Sequence, residues 1–155
     1  MFLFQVYTGL YYSDLKNLTR DAIRRNEQGS YIVGDRIKNN NAYMIPVYKF
    51  ENAEKILSRY YDEKSYIVFP DTISDQKYNE KLKDIASKAK ISKNITNKVA
   101  KHTNAQLYIA SGAGRQFVSK LLGHSDEETT QEYYDISIHD IDARLKTIEF
   151  NKLGI

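Results

Sequence analysis

Val118-Ser119-Lys120-Leu121-Leu122-Gly123-His124-Ser125, followed by Thr129-Thr130-Gln131-Glu132-Tyr133, is the stretch whose reading decides the fold. Phe117, Val118, Leu121 and Leu122 recur at helical spacing and make one apolar face, which Gly123 stops. His124 therefore ends a helix at a Gly-His turn, and Tyr133 follows nine residues later. Ser125-Asp126-Glu127-Glu128 has capping-box spacing, and its acids suit the start of another helix. A tyrosine oxygen can attack a phosphodiester and hold the strand covalently. Such an attack needs nearby cations for the charge developing on phosphate oxygens, and imidazoles to orient them or move protons.

Upstream, Lys98 and Lys101 stand three apart in a segment whose Val99, Leu107 and Ala110 repeat at helical spacing, so both share a face. His102 follows directly, Thr96 is placed to cap this helix, and Gly112 ends it. Singly, each residue has an ordinary reading: a lone tyrosine is more often a core edge than a nucleophile, and a lone histidine is more often structural. Taken together they form a phosphate-handling set. Other chemistries find no support, because there is no phosphate loop, Gly-rich dinucleotide turn, His-Glu-x-x-His zinc helix or Gly-x-Ser-x-Gly elbow. His102, His124 and His139 lack the close spacing of a metal site.

The 155 residues suit one domain, long enough to bury about two-thirds of its unfolded surface. The absence of cysteine excludes disulfides, thiolate zinc sites and cysteine nucleophiles. No apolar run approaches the ~20 residues of a membrane span, so a soluble cytoplasmic protein without a membrane partner is expected. The net charge of +3 is small, but its distribution is uneven. Residues 81 to 101 hold seven lysines against Asp84, whereas residues 125 to 142 hold seven acids and no Lys or Arg. The basic run can meet phosphates; a solvated lysine-rich helix face is the commoner meaning of such a run.

Phe2 to Val6 reads as the end of a helix already under way, broken by Gly9, with Ser13-Asp14 beginning a short second one. A start in mid-pattern suggests that something N-terminal precedes this chain. Ile23, Tyr31-Ile32-Val33 and Tyr43-Met44-Ile45, parted by turn-forming residues, predict a small antiparallel sheet. Helical periodicity then returns through Ala53, Ile56 and Leu57 and through Leu82, Ile85, Ala86 and Ala89. Ile138, Ile141, Leu145 and Ile148 stripe a closing helix. The expected class is α+β, mostly helical, with a three-stranded sheet near the N-terminus.

The C-terminal stretch resembles the signature of tyrosine recombinases and phage integrases, in which a Leu-Gly-His histidine precedes the nucleophilic tyrosine by this spacing. Lys98 to Thr103 resembles the family's box of His or Lys, two residues, Arg, then His-Thr. Thr8-Gly9-Leu10-Tyr11-Tyr12-Ser13-Asp14-Leu15 resembles its Thr-Gly-Leu-Arg box with a following acid, and Lys38 stands where the family places its β-hairpin lysine. The resemblance implies the tyrosine-recombinase catalytic-domain fold over residues 1–155, without the family's first helix and its N-terminal core-binding domain. It implies Tyr133 as nucleophile of a 3′-phosphotyrosine link and Lys38 as general acid at the leaving 5′ oxygen. Lys98, Lys101 and His124 would contact the scissile phosphate, with His102 in support and Asp14 as a buried brace. Lys38, Lys98, Lys101 and Arg115 would touch DNA. No cofactor is implied, and the partners are duplex DNA and sister protomers in a tetramer, which exchange C-terminal segments unless the closing helix folds back onto its own core.

Three positions keep a second reading: Lys38 as a solvated turn lysine, Asp14 as a helix cap, and Tyr134 in place of Tyr133. The two family arginines are Tyr11 and Lys101 here. Lysine offers a mobile point charge where arginine offers a planar fork, and Tyr11 brings no cation. Unless Arg20, Arg24, Arg36 or Arg115 substitutes, the phosphate grip is weakened. The chain is then either a working recombinase of a mobile element with an altered grip, a degenerate DNA-binding remnant, or an unrelated helical interaction module.

Overall fold

The computed structural model describes residues 1–38, 40–60, 62, 64–123 and 145. The opening apolar run is helix α1 (Phe2–Thr8), which buries Phe4, Gln5 and Thr8. Gly9 ends it in the left-handed region (φ 63°), its N–H donating to the Gln5 carbonyl at 2.8 Å. Glycine is required there twice over: a Cβ would stand 2.6 Å from Leu122 Cδ2 and 2.7 Å from Asn104 Oδ1. Gly9→Ala is therefore expected to destabilise the domain by on the order of 2–4 kcal/mol, from left-handed strain plus overpacking. A urea titration measures this, and a loss under about 1 kcal/mol would mean the corner yields cheaply.

Beyond that corner runs α2 (Tyr12–Lys16), then the sheet. Strands β1 (Ile23–Asn26), β2 (Gly29–Asp35) and β3 (Ala42–Pro46) pair antiparallel in the order β1-β2-β3, as the alternation of apolar runs and turns predicts. Asn26 Oδ1 closes the first turn by accepting from the backbone N–H of Gln28 (2.9 Å) and Gly29 (3.3 Å). The second turn joins Asp35 to Ala42, with Arg36 N–H donating to Asn41 and Asn40 N–H to Arg36. Asn40 takes φ 58°, a conformation that asparagine tolerates better than most residues. Lys38 stands exposed in this turn.

Four further helices are described beyond the sheet: α3 (Glu51–Arg59), α4 (Asp75–Lys88), α5 (Asn97–Ala110) and α6 (Arg115–Leu121). Glu54 on α3 accepts from both the N–H and the hydroxyl of Ser30 on β2, at 2.8 and 3.0 Å. Tyr78 on α4 stacks on Tyr12 at 4.1 Å and donates its hydroxyl to buried Gln5. Asn104 on α5 donates to the Val6 carbonyl, tying α5 to α1. Thr96 stands at the N-cap of α5 but makes no side-chain capping bond. The Asn97 N–H is taken by Asn79 Oδ1 instead, so a tertiary contact from α4 does what the local cap was expected to do.

The core runs through Phe4, Leu10, Leu15, Ile32, Ile45 and Leu122, all fully buried. Of the stripe expected in the closing helix, Leu145 is the described member. It is fully buried in the same core, and its carbonyl accepts from Lys49 Nζ at 3.1 Å. At Leu145, then, the chain returns to its own core. Ile138, Ile141 and Ile148 lie outside the described residues.

Candidate active site

Four separate segments meet beside the Thr8–Tyr12 corner, and each brings a side chain for a different reason. Helical spacing puts Lys98, Lys101 and His102 of α5 on one wall. The β2–β3 turn brings Lys38, and α2 contributes Lys16. Tyr11, in extended conformation just before α2, lines the same cleft of about 700 Å³. Among its lining residues Asp75 is the one carboxylate. Lys38, Lys98 and His102 are exposed to solvent.

Lys101 differs. It is only 7% exposed, and its Nζ makes no hydrogen bond among the described residues. The amine instead lies 3.7 Å from the centroid of the Tyr11 ring. Burial pushes its pKa down to about 7, helped by the Arg36 and Lys38 cations and opposed by Asp14. The ammonium that the sequence offers at this position is therefore buried against an aromatic face.

Arg36 corrects a second expectation. It was a candidate to replace a missing arginine in gripping phosphate, yet it is fully buried and turned inward. Its Nε and Nη2 donate to the Leu122 carbonyl at 2.9 and 2.6 Å, and its Nη1 to Asp14 Oδ2 at 2.7 Å. The Tyr43 ring covers it at 4.3 Å. Asp14 is thereby a buried brace and not a helix cap; its other oxygen accepts the Ile37 N–H at 3.2 Å. Gly123 makes the clamp possible, with φ 59° and room for a Cβ closed by the Ala42 carbonyl at 3.0 Å and Arg36 Cγ at 3.2 Å. One guanidinium thus joins the acid of α2, the turn that carries Lys38, and the Leu122-Gly123 turn that leads to His124. Arg20 lines a different cleft with Arg25 and Tyr60, and Arg24 lines neither cleft.

Lys38, Lys98, Lys101 and His102 are therefore brought together with Tyr11. Tyr133, Tyr134 and His124 lie outside the described residues, as does the side chain of Arg115 at the start of α6. The expected set did not include Lys16, whose only signal is its place two residues after Asp14 on a short helix. Among the described residues no group of His, Asp and Glu is arranged to hold a metal, and no helix is long and apolar enough to cross a membrane.

The sequence and the fold that positions these residues match known proteins. The sequence profile of the phage integrase family fits residues 1–139. The chain belongs to the phage integrase family. Within that family, the tyrosine recombinase XerA of Saccharolobus solfataricus is 30% identical over 138 residues, 82% of this chain and 46% of that protein. A crystal structure of XerA recombinase superposes with a TM-score of 0.58 at 22% identity, over 91% of this chain and 54% of that one. The Tn1549 transposon integrase, solved in complex with transposon right end DNA, gives a TM-score of 0.59 at 18% identity, over 94% and 56%. This integrase-family chain spans about half the length of these relatives. The solved structures share its fold, the tyrosine-recombinase catalytic domain, helical with a three-stranded antiparallel sheet.

Proposed function

We propose that the chain is the catalytic part of a site-specific recombinase or integrase, one that breaks and rejoins duplex DNA through a 3′-phosphotyrosine link on behalf of a mobile element. The observation that supports this most is the Lys101 amine, buried and without a hydrogen-bond partner among the described residues, in a cleft that also carries Lys16, Lys38, Lys98 and His102. A buried cation is costly unless paired, so the cleft favours an anion, and a backbone phosphate fits both its charge and its family. Similarity to the integrase of a transposon supports the mobile-element setting.

In this reading the Tyr133 oxygen attacks phosphorus, and the bond from phosphorus to the 5′ oxygen breaks. Lys38 gives that leaving oxygen its proton. Lys98, Lys101 and His124 hold the non-bridging oxygens, His102 supports Lys101, and Arg115 meets the flanking backbone. The phosphotyrosine link conserves the bond energy, so rejoining needs no nucleotide or metal. The partners are duplex DNA and sister copies, as a tetramer on DNA, in the cytoplasm.

A second reading, a DNA-binding remnant that no longer cuts, has one observation in its favour. Among the lining residues of the cleft there is no arginine, since Arg36 is spent inside. The test is incubation with a nicked suicide duplex drawn from DNA flanking the gene. Cleavage predicts a denaturant-stable protein–DNA adduct that Tyr133→Phe abolishes and Tyr134→Phe leaves intact. Salt-sensitive binding without any adduct would favour the remnant, and neither binding nor adduct would sink both.

A further inference from the structure

Two cations face the Tyr11 ring, one from the cleft wall and one from the interior. Lys101 Nζ lies 3.7 Å and Arg36 Cζ 5.5 Å from the Tyr11 centroid. Arg36 is committed to Leu122 and Asp14, so its place is fixed without Tyr11. Lys101 has no such tether: its amine has no hydrogen bond among the described residues, and Asp14, the buried acid nearby, already holds Arg36. What fixes the amine is the aromatic face. A desolvated cation over a ring is attracted by the ring quadrupole, and the contact uses none of the three ammonium donors.

An ammonium on a four-carbon stem is ordinarily a poor substitute for a guanidinium, because it must be ordered afresh when the phosphate arrives. A ring beneath it removes that ordering cost. We infer that Tyr11 is a positioning residue, whose ring holds the Lys101 amine in the cleft for a phosphate oxygen of the DNA backbone. The two departures from the family pattern are then one device. The inference rests on the proposed DNA-cleaving function for its ligand, although the ring–amine contact does not depend on it. It also assigns the opposite sign to an apparent repair. An arginine at position 11 would set a third cation beside Lys101 and Arg36, with Asp14 already paired, so Tyr11→Arg alone should weaken the site.

The test uses the whole chain carrying Tyr11→Phe, Tyr11→Leu and Tyr11→Arg, each with Lys101 and with Lys101→Met. Two quantities are read: inorganic phosphate affinity, with the ring-current shift of the Lys101 ε-methylene protons by NMR, and the single-turnover adduct rate on the nicked duplex. Tyr11→Phe should keep the upfield shift and bind phosphate within about threefold of wild type; Tyr11→Leu should lose the shift and about tenfold in affinity. In the Lys101→Met background the Leu change should have no further effect, a coupling that a general loss of structure would not produce. Equal phosphate affinity in wild type and Tyr11→Leu would overturn the inference, as would loss in Tyr11→Phe or a gain in Tyr11→Arg. If wild type forms no adduct while phosphate affinity still follows the ring, the cleavage reading fails and the positioning role stands.

Discussion

Replacing Arg36 with methionine is expected to destabilise the domain by about 3–5 kcal/mol, a large part of the 5–15 kcal/mol that holds a typical domain folded. The guanidinium is fully buried, and the Asp14 side chain is 2% exposed. Methionine matches much of the volume but leaves a carboxylate in the interior with no cation. It also strips the Leu122 carbonyl of both donors. An uncompensated buried charge is the costliest single defect such a site can acquire, whereas removing both charges can be close to neutral. Arg36→Met with Asp14→Leu should therefore recover much of the loss, leaving mainly the orphaned carbonyl at about 1–3 kcal/mol. Arg36→Lys should recover little, since one ammonium cannot span two acceptors in the place of a fork. Urea unfolding of the three variants decides the matter. A single-variant loss below about 1 kcal/mol, or a double variant no more stable than the single, would show that the pair is not what anchors the Leu122 turn.

The consequences of this clamp explain where the sequence was readable and where it was not. Gly9 and Gly123 were legible as helix terminators, because a glycine after an apolar periodic segment is local information, and both take positive φ. The strands were legible for the same reason, since the Asn26–Gly29 turn and the Asp35–Ala42 turn are built from residues that favour turns. Lys98 and Lys101 were correctly placed on one face by their spacing. Their different fates were not visible, however, because Lys98 is exposed and Lys101 is buried by partners from the other end of the chain. Arg36 is one of four arginines that the sequence leaves open as a substitute grip. It sits between Asp35 and Lys38 in a polar turn, and nothing local marks it as the residue that closes on Leu122, far along the sequence. Asp14 is a partial clue: a buried acid needs a cation, but Arg20, Arg24 and Arg25 all stand nearer in sequence than Arg36, so it does not single out the partner. Burial of charge is a long-range property, and periodicity alone does not carry it.

Lys101→Met should move stability and activity in opposite directions. Removing a buried amine without an acceptor is expected to stabilise the free protein by about 1–3 kcal/mol near neutral pH, since methionine can occupy the space without a charge. The gain has a predictable pH dependence. The unfolded chain keeps the lysine proton up to its ordinary pKa of 10.5, while the folded chain holds it only to about 7. Folding therefore releases a proton between those values, so wild-type stability climbs with pH across the window and is flat below it. The advantage of Lys101→Met should consequently be greatest at pH 6 and shrink steadily toward pH 9. If the stabilisation is equal at both ends, the amine is not the buried charge it is taken to be. Cleavage should respond the other way, with an adduct rate lower by about 100- to 1000-fold, the cost of one preorganised donor at a phosphate. The same protonation makes wild-type phosphate binding weaken as pH rises from 7 to 9, while the methionine variant stays nearly level. Lys16, Lys38, Lys98, Asp14 and Arg36 surround the site as well, and exposed His102 is on the same wall, so both proteins should carry His102→Gln to keep the imidazole out of the comparison.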